Sequence, residues 1–136
     1  MSTYLLDTSA WLAHVFNEPG ADEVTALFED SEATIVISAL SILESHARFR
    51  ARNRPNEFRE MLETYRLLFT RIYPADEAVA LRAIALREAG GERIPAMDTL
   101  IAATAAHHNA TLVHRDPHFG GLPEGSVAQL ALIDSQ

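Results

Sequence analysis

The 136-residue sequence contains no cysteine and no lysine. Without cysteine there is neither a disulfide framework nor a thiolate metal site, and the chain suits a reducing compartment. Without lysine, all eleven basic residues are arginine, whose planar fork grips phosphate or carboxylate bidentately. No apolar run reaches the roughly 18 residues of a membrane span, and the first ten residues lack the basic segment of a secretory signal. The expectation is a cytoplasmic protein with no membrane association. No G-x-G-x-x-G fingerprint occurs, so dinucleotide binding is unsupported, and no His-Glu-x-x-His motif of the zinc-protease kind is present. Repeats, low-complexity tracts and linkers are also missing. A length of 136 residues suits one domain, residues 1–136, with a real core.

The formal net charge of -8 argues against a generic electrostatic binder of nucleic acid, which is usually basic. It does not exclude an enzyme acting on nucleic acid, because acids that hold metal inflate the count and a bound cation reverses it locally.

Hydrophobic patterning predicts alternating strands and helices. Thr3 to Leu6 reads as a strand, followed by a helix capped by Thr8 or Ser9 with Trp11, Leu12, Val15 and Phe16 as its apolar stripe. Asn17 to Gly20 breaks it, and Asp22 to Glu29 forms a second helix. Thr34 to Ile37 is entirely β-branched and reads as a buried strand. Ser38 opens a helix through Arg52, and Pro55 opens another with Phe58, Met61, Leu62, Tyr65, Leu68 and Phe69 at helical spacing. Arg71 to Tyr73 is a short strand. Asp76 to Ala89 is helical and is stopped by Gly90 and Gly91. Pro95 suits the first turn of a helix running to His108. Thr111 to Val113 and Val127 to Ile133 are the last strands. The pattern implies a three-layer α/β/α fold around a mostly parallel sheet, in which ligands bind at the carboxyl ends of the strands.

Four acids map to that edge: Asp7 and Asp116 just past strands, Asp98 in a first helical turn, and Glu44 two turns into the helix after the second strand. Each has an ordinary reading. Asp7 suits a helix N-cap or first turn, where the dipole favours an acid. Glu44 resembles the end of a Ser41-x-x-Glu44 capping box, and also stands four residues before Arg48 in the order that favours a helical ion pair. Asp98 suits the dipole after Pro95, and Asp116-Pro117 can initiate a turn. Together they are better explained by a cation between them. Mg²⁺ or Mn²⁺ takes oxygen ligands, and such ions promote in-line displacement at phosphorus.

The segments Leu-Leu-Asp7-Thr-Ser, Ile-Ser-Ala-Leu-Ser-Ile-Leu-Glu44, Ile-Pro-Ala-Met-Asp98-Thr-Leu-Ile-Ala-Ala-Thr-Ala and Leu-Val-His-Arg-Asp116-Pro-His-Phe resemble the PIN-domain ribonucleases. In length and motif order they look like the VapC-type toxins of bacterial toxin–antitoxin pairs. The resemblance spans nearly the whole chain. It implies an endoribonuclease that uses Mg²⁺, with Mn²⁺ as a substitute, and leaves 5′-phosphate and 3′-hydroxyl ends. Asp7 and Asp98 would be the main metal ligands. Glu44 and Asp116 would complete the shell or help deprotonate the attacking water. It also implies a homodimer and a VapB-type antitoxin that pushes a basic side chain toward the acids. The family often has Thr or Ser two residues before the fourth acid; here His114 stands there.

Arg48, Arg50, Arg52 and Arg54 form an alternating run that splits into two helical faces, either solvated or contacting RNA phosphate or antitoxin. His107 and His108 fit a helix C-terminus. His118 belongs either to the site or to a plain turn. Tyr4, Trp11 and the phenylalanines fit a core better than a base-stacking platform. Two rival functions remain. An aspartyl-nucleophile phosphatase would want a second Asp where Ser9 stands, and a catalytically degenerate PIN-like domain would only bind a partner.

Overall fold

Leu5 and Leu6 are neighbours on one strand, so they point to opposite faces, and both are fully buried. A strand of that kind needs a sheet covered on both sides. The computed structural model, which describes residues 1–132, contains such a sheet. The strands are β1 (Ser2–Leu6), β2 (Ala33–Ser38), β3 (Arg71–Tyr73), β4 (Thr111–His114) and β5 (Gln129–Ala131). The helices are α1 (Thr8–Val15), α2 (Ala21–Glu29), α3 (Leu40–Ala51), α4 (Phe58–Arg66), α5 (Glu77–Leu86) and α6 (Ala96–His107).

The strand order is β3-β2-β1-β4-β5, and every pairing is parallel. The chain walks outward from β1 to β3, then crosses back to place β4 on the other side of β1. The reversal falls between β1 and β4, where open α/β sheets place their binding crevice.

Two cores flank the sheet. Leu5, Val36 and Leu112 pack with Val79, Ile101, Ala102 and Phe119 beneath α5 and α6. Leu6, Ile35, Ile37 and Val113 pack with Trp11, Val24, Tyr65 and Phe69 beneath α1, α2 and α4. The result is the expected three-layer α/β/α architecture. Trp11 is fully buried and meets Tyr65 and Phe69 edge-on, at centroid distances of 5.9 and 5.4 Å. The Ala-rich α6 buries Thr99 and Thr104 at no polar cost, because their hydroxyls donate back to Pro95 O and Leu100 O.

Several boundaries differ from the sequence reading, each for a local reason. Asp7, not Thr8 or Ser9, caps α1: it keeps the extended backbone of the strand end while its side chain accepts the Ala10 N–H. Ser38 stays in β2, and its hydroxyl accepts the Leu40 N–H, so α3 starts two residues late. A 3₁₀ turn, Pro55–Glu57, precedes α4, which stops at Arg66. Leu68 therefore leaves the apolar stripe and is 45% exposed. Helix α5 ends at Leu86 in a wide turn over Arg87–Gly91, where Gly90 takes φ 127°, a left-handed value that glycine tolerates. The last strand is shorter than expected, and Ile133 lies outside the described residues.

Candidate active site

Asp7 stands at the junction of β1 and α1. Its Oδ1 accepts the Ala10 N–H at 2.8 Å and the Ser9 hydroxyl at 2.7 Å. The same Ser9 oxygen accepts the Arg115 N–H at 3.1 Å, and the Asp7 N–H donates to Val113 O at 3.0 Å. The exits of β1 and β4 are thereby locked together. Asp7 is only 3% exposed, and its Oδ2 accepts no hydrogen bond among the described residues. Burial pushes its carboxyl up to about 7. The Ala10 N–H and Ser9 hydroxyl oppose the rise, and the charges of Asp116 and Asp98 add to it.

Asp98 lies in the first turn of α6, half-buried. Burial and then Asp116 raise its carboxyl above the usual range, while His118 works the other way. Asp116 caps the 3₁₀ turn Pro117–Gly121, and its Oδ1 accepts the His118 N–H at 2.9 Å. Glu44 accepts a hydrogen bond from the Thr8 hydroxyl, which also lies 3.0 Å from the Ser41 hydroxyl. The capping box that Ser41-x-x-Glu44 resembles does not form, since Ala39 is the N-cap and Ser41 sits inside the helix. Nor is there a Glu44–Arg48 ion pair among the described residues.

All four acids line one cavity of about 290 Å³, together with Thr8, Ser9, Ala47 and Arg48. A larger depression of about 470 Å³ is lined by residues 17–20 and the first turn of α2. Its Glu18 is already paired with Arg52 and Arg115, so it offers no comparable convergence of uncommitted groups.

Among the described residues, one grouping of possible metal ligands adds a residue that the sequence left undecided. Asp98, Asp116 and His118 bring donor atoms within 4.8 Å of one another. His118 Nδ1 is 3.2 Å from Asp98 Oδ2 and 3.3 Å from Asp116 Oδ1. His114 lies elsewhere. It is 6% exposed, its Nδ1 accepts the Asp116 N–H at 3.2 Å, and its Nε2 is left to donate to Gln129 Oε1 at 2.9 Å. It does not line the acidic cavity; it braces the turn that carries Asp116.

The arginine run divides by partner. Arg52 pairs with Glu18 at 2.6 Å and stacks 3.7 Å over the Phe16 ring. Arg54 lies beyond α3 and pairs with Glu57. Arg48 has no ion pair among the described residues and stands at the cavity, one helical turn past Glu44.

A parallel sheet with an acidic cavity at its switch point invites comparison with known proteins. The family model of the PIN domain matches residues 4–124. The chain belongs to the PIN-domain family. PIN domains are generally nucleases and generally use divalent metals. Among solved structures, FitAcB from Neisseria gonorrhoeae is 30% identical with a TM-score of 0.70, covering 93% of this chain and 96% of that one. VapBC2 from Rickettsia felis, bound to a DNA fragment from its promoter, is 20% identical with a TM-score of 0.78, covering 96% and 99%. VapBC-5 from Mycobacterium tuberculosis, of the VapBC family of toxin–antitoxin systems, is 22% identical with a TM-score of 0.72, covering 97% and 100%. At such identities the VapBC likenesses speak to the fold. No curated protein matches the chain.

The residues of this PIN domain fit a divalent cation. A carboxylate as buried as Asp7, with one oxygen uncommitted and two further acids nearby, is costly without a positive charge beside it. The donor set is carboxylate oxygen with one imidazole, which suits hard divalent ions and the transition metals that overlap them. Among the described residues no helix is long and apolar enough to cross a membrane.

Proposed function

We propose that this PIN domain is a metal-dependent endoribonuclease, the toxin of a toxin–antitoxin pair. The observation that carries the reading is the single cavity lined by Asp7, Glu44, Asp98 and Asp116, with Asp7 almost fully buried. These four acids are its catalytic set. Asp7, Asp98 and Asp116 hold Mg²⁺, or Mn²⁺ in its place, and Glu44 completes the shell. When bound, the cation stabilises negative charge at phosphorus and makes hydroxide available near neutral pH.

The chain's own residues do the rest. Ser9 and the Ala10 N–H hold Asp7 Oδ1, leaving Oδ2 for the site. Thr8 holds Glu44 from across the cavity, where the carboxylate can take a proton from the attacking water. Arg48 supplies a free guanidinium at the rim for a phosphate of the RNA. An electronegative chain acts on RNA in this scheme because cations at the centre reverse the local field.

The partners follow from the same reading. FitAcB and the VapBC neighbours support a VapB-type antitoxin for this chain. The proposal adds a basic side chain of that antitoxin reaching into the acidic cavity, and a homodimer as the toxin's own assembly. The test is RNA cleavage with Mg²⁺ or Mn²⁺, with and without EDTA, by the wild type and by Asp7→Asn and Asp98→Asn. Cleavage should need the ion and both acids. Cleavage that persists in EDTA, or in both variants, would falsify the proposal.

A further inference from the structure

We propose that His118 is itself a ligand of the centre, completing with Asp98 and Asp116 a mixed imidazole–carboxylate site that favours transition-metal ions such as Mn²⁺ over Mg²⁺. The inference rests on the metal-dependent reading above and specifies its ion.

His118 comes back over the site because of its turn. Asp116 Oδ1 accepts the His118 N–H at 2.9 Å, which closes the turn after β4 and brings the imidazole toward the start of α6. Nδ1 then stands 3.2 Å from Asp98 Oδ2 and 3.3 Å from Asp116 Oδ1. Atoms held side by side on one octahedral ion at about 2.1 Å are about 3 Å apart. Donors from three positions, far apart in sequence or separated by a proline, thus stand at the mutual spacing of ligands around one ion.

A purely structural role accounts for this poorly. The His118 side chain is 57% exposed, and an ion pair so open to water contributes little. The turn is already closed by the backbone N–H, so the imidazole is not needed to shape it. Asp7, buried and with Oδ2 uncommitted, independently marks the adjoining cavity, which Asp98 and Asp116 line and whose edge His118 reaches through them, as a place for positive charge.

The chemical consequence is selectivity. Mg²⁺ is bound through oxygen and gains little from an imidazole, whereas ions of the first transition series accept nitrogen readily. A centre of carboxylates alone discriminates weakly between Mg²⁺ and Mn²⁺; one nitrogen donor tilts it toward the transition metal.

The test uses the full-length protein, titrated calorimetrically with Mg²⁺ and with Mn²⁺, for the wild type and His118→Ala. Mn²⁺ bound to each is also examined by pulsed electron paramagnetic resonance for nitrogen coupling. The variant should fold normally, because the side chain is mostly in solvent. We expect Mn²⁺ affinity to fall about tenfold, Mg²⁺ affinity to change less than about threefold, and the nitrogen coupling to disappear. Tighter binding of both ions by the variant would identify His118 as a competing positive charge and overturn the assignment. Equal losses for both ions, no loss for either, or nitrogen coupling that survives the substitution would also overturn it. If the wild type binds neither ion, the metal-dependent reading itself fails and this assignment falls with it.

Discussion

The Thr8 hydroxyl donates to the Glu44 carboxylate across 36 positions of sequence, and so ties the first turn of α1 to the second turn of α3 at the mouth of the acidic cavity. Glu44 is thereby aimed by a neighbour rather than by its own helix.

That tie gives a first prediction. Thr8→Val keeps the shape of the side chain and removes the donor. Single-turnover RNA cleavage should slow by about tenfold, equivalent to about 1.4 kcal/mol in the transition state. Thermal stability should change little, since the bond is only part-buried. Unchanged cleavage would mean that Glu44 needs no positioning.

A second prediction concerns pH. Burial pushes the Asp7 carboxyl up to about 7 in the folded protein, against an ordinary value of 3.8. Between those values the folded state holds the extra proton, so in EDTA this group's contribution to stability falls as pH rises through the interval and is lost above it. The effect is bounded by about 4 kcal/mol. Asp7→Asn removes the titrating group while keeping an oxygen for Ser9 and Ala10. In melting curves with EDTA, the variant should exceed the wild type near pH 8 and match it near pH 4. A variant less stable than the wild type at pH 8 would contradict this.

Arg48 and Arg50 provide an internal comparison for substrate binding, since neither has an ion pair among the described residues and only Arg48 lines the cavity. Arg48→Gln should weaken binding of a single-stranded RNA several-fold and lower the slope of log affinity against log salt by about 0.7. Arg50→Gln should leave both nearly unchanged. Equal effects from the two would point to diffuse electrostatics.

His114 should be read as scaffold. It bridges the Asp116 N–H to Gln129 and packs 4.8 Å from the Phe119 ring. His114→Ala removes a buried ring that packs on Phe119 and braces the Asp116 turn, and should cost about 2 kcal/mol in urea unfolding. Full stability in that variant would remove the bracing role.

Much of this was legible because strand ends and helix starts leave local marks. The β-branched run Thr34 to Ile37 and the alternating strands and helices specified the sheet, and Asp7 and Asp116 followed strands closely enough to be placed at its edge. The partners of the acids were not legible, since Thr8 with Glu44 and Ser9 with Arg115 are contacts between distant segments without a local signal. The cap of α1 stays open in the sequence because Asp7, Thr8 and Ser9 are all good capping residues, and only the backbone at the strand exit decides among them. Leu68 fitted a helical period that stopped before reaching it. His118 was ambiguous because the turn that returns its ring to Asp98 depends on Asp116.

The central claim is that these acids hold a cation for direct hydrolysis of RNA by water. It is tested most directly by the ends of the fragments produced from a defined RNA with Mn²⁺ present. The account predicts 5′-phosphate and 3′-hydroxyl ends, lost together in EDTA and in Asp98→Asn. Fragments ending in 2′,3′-cyclic phosphate, or unchanged by EDTA, would contradict it.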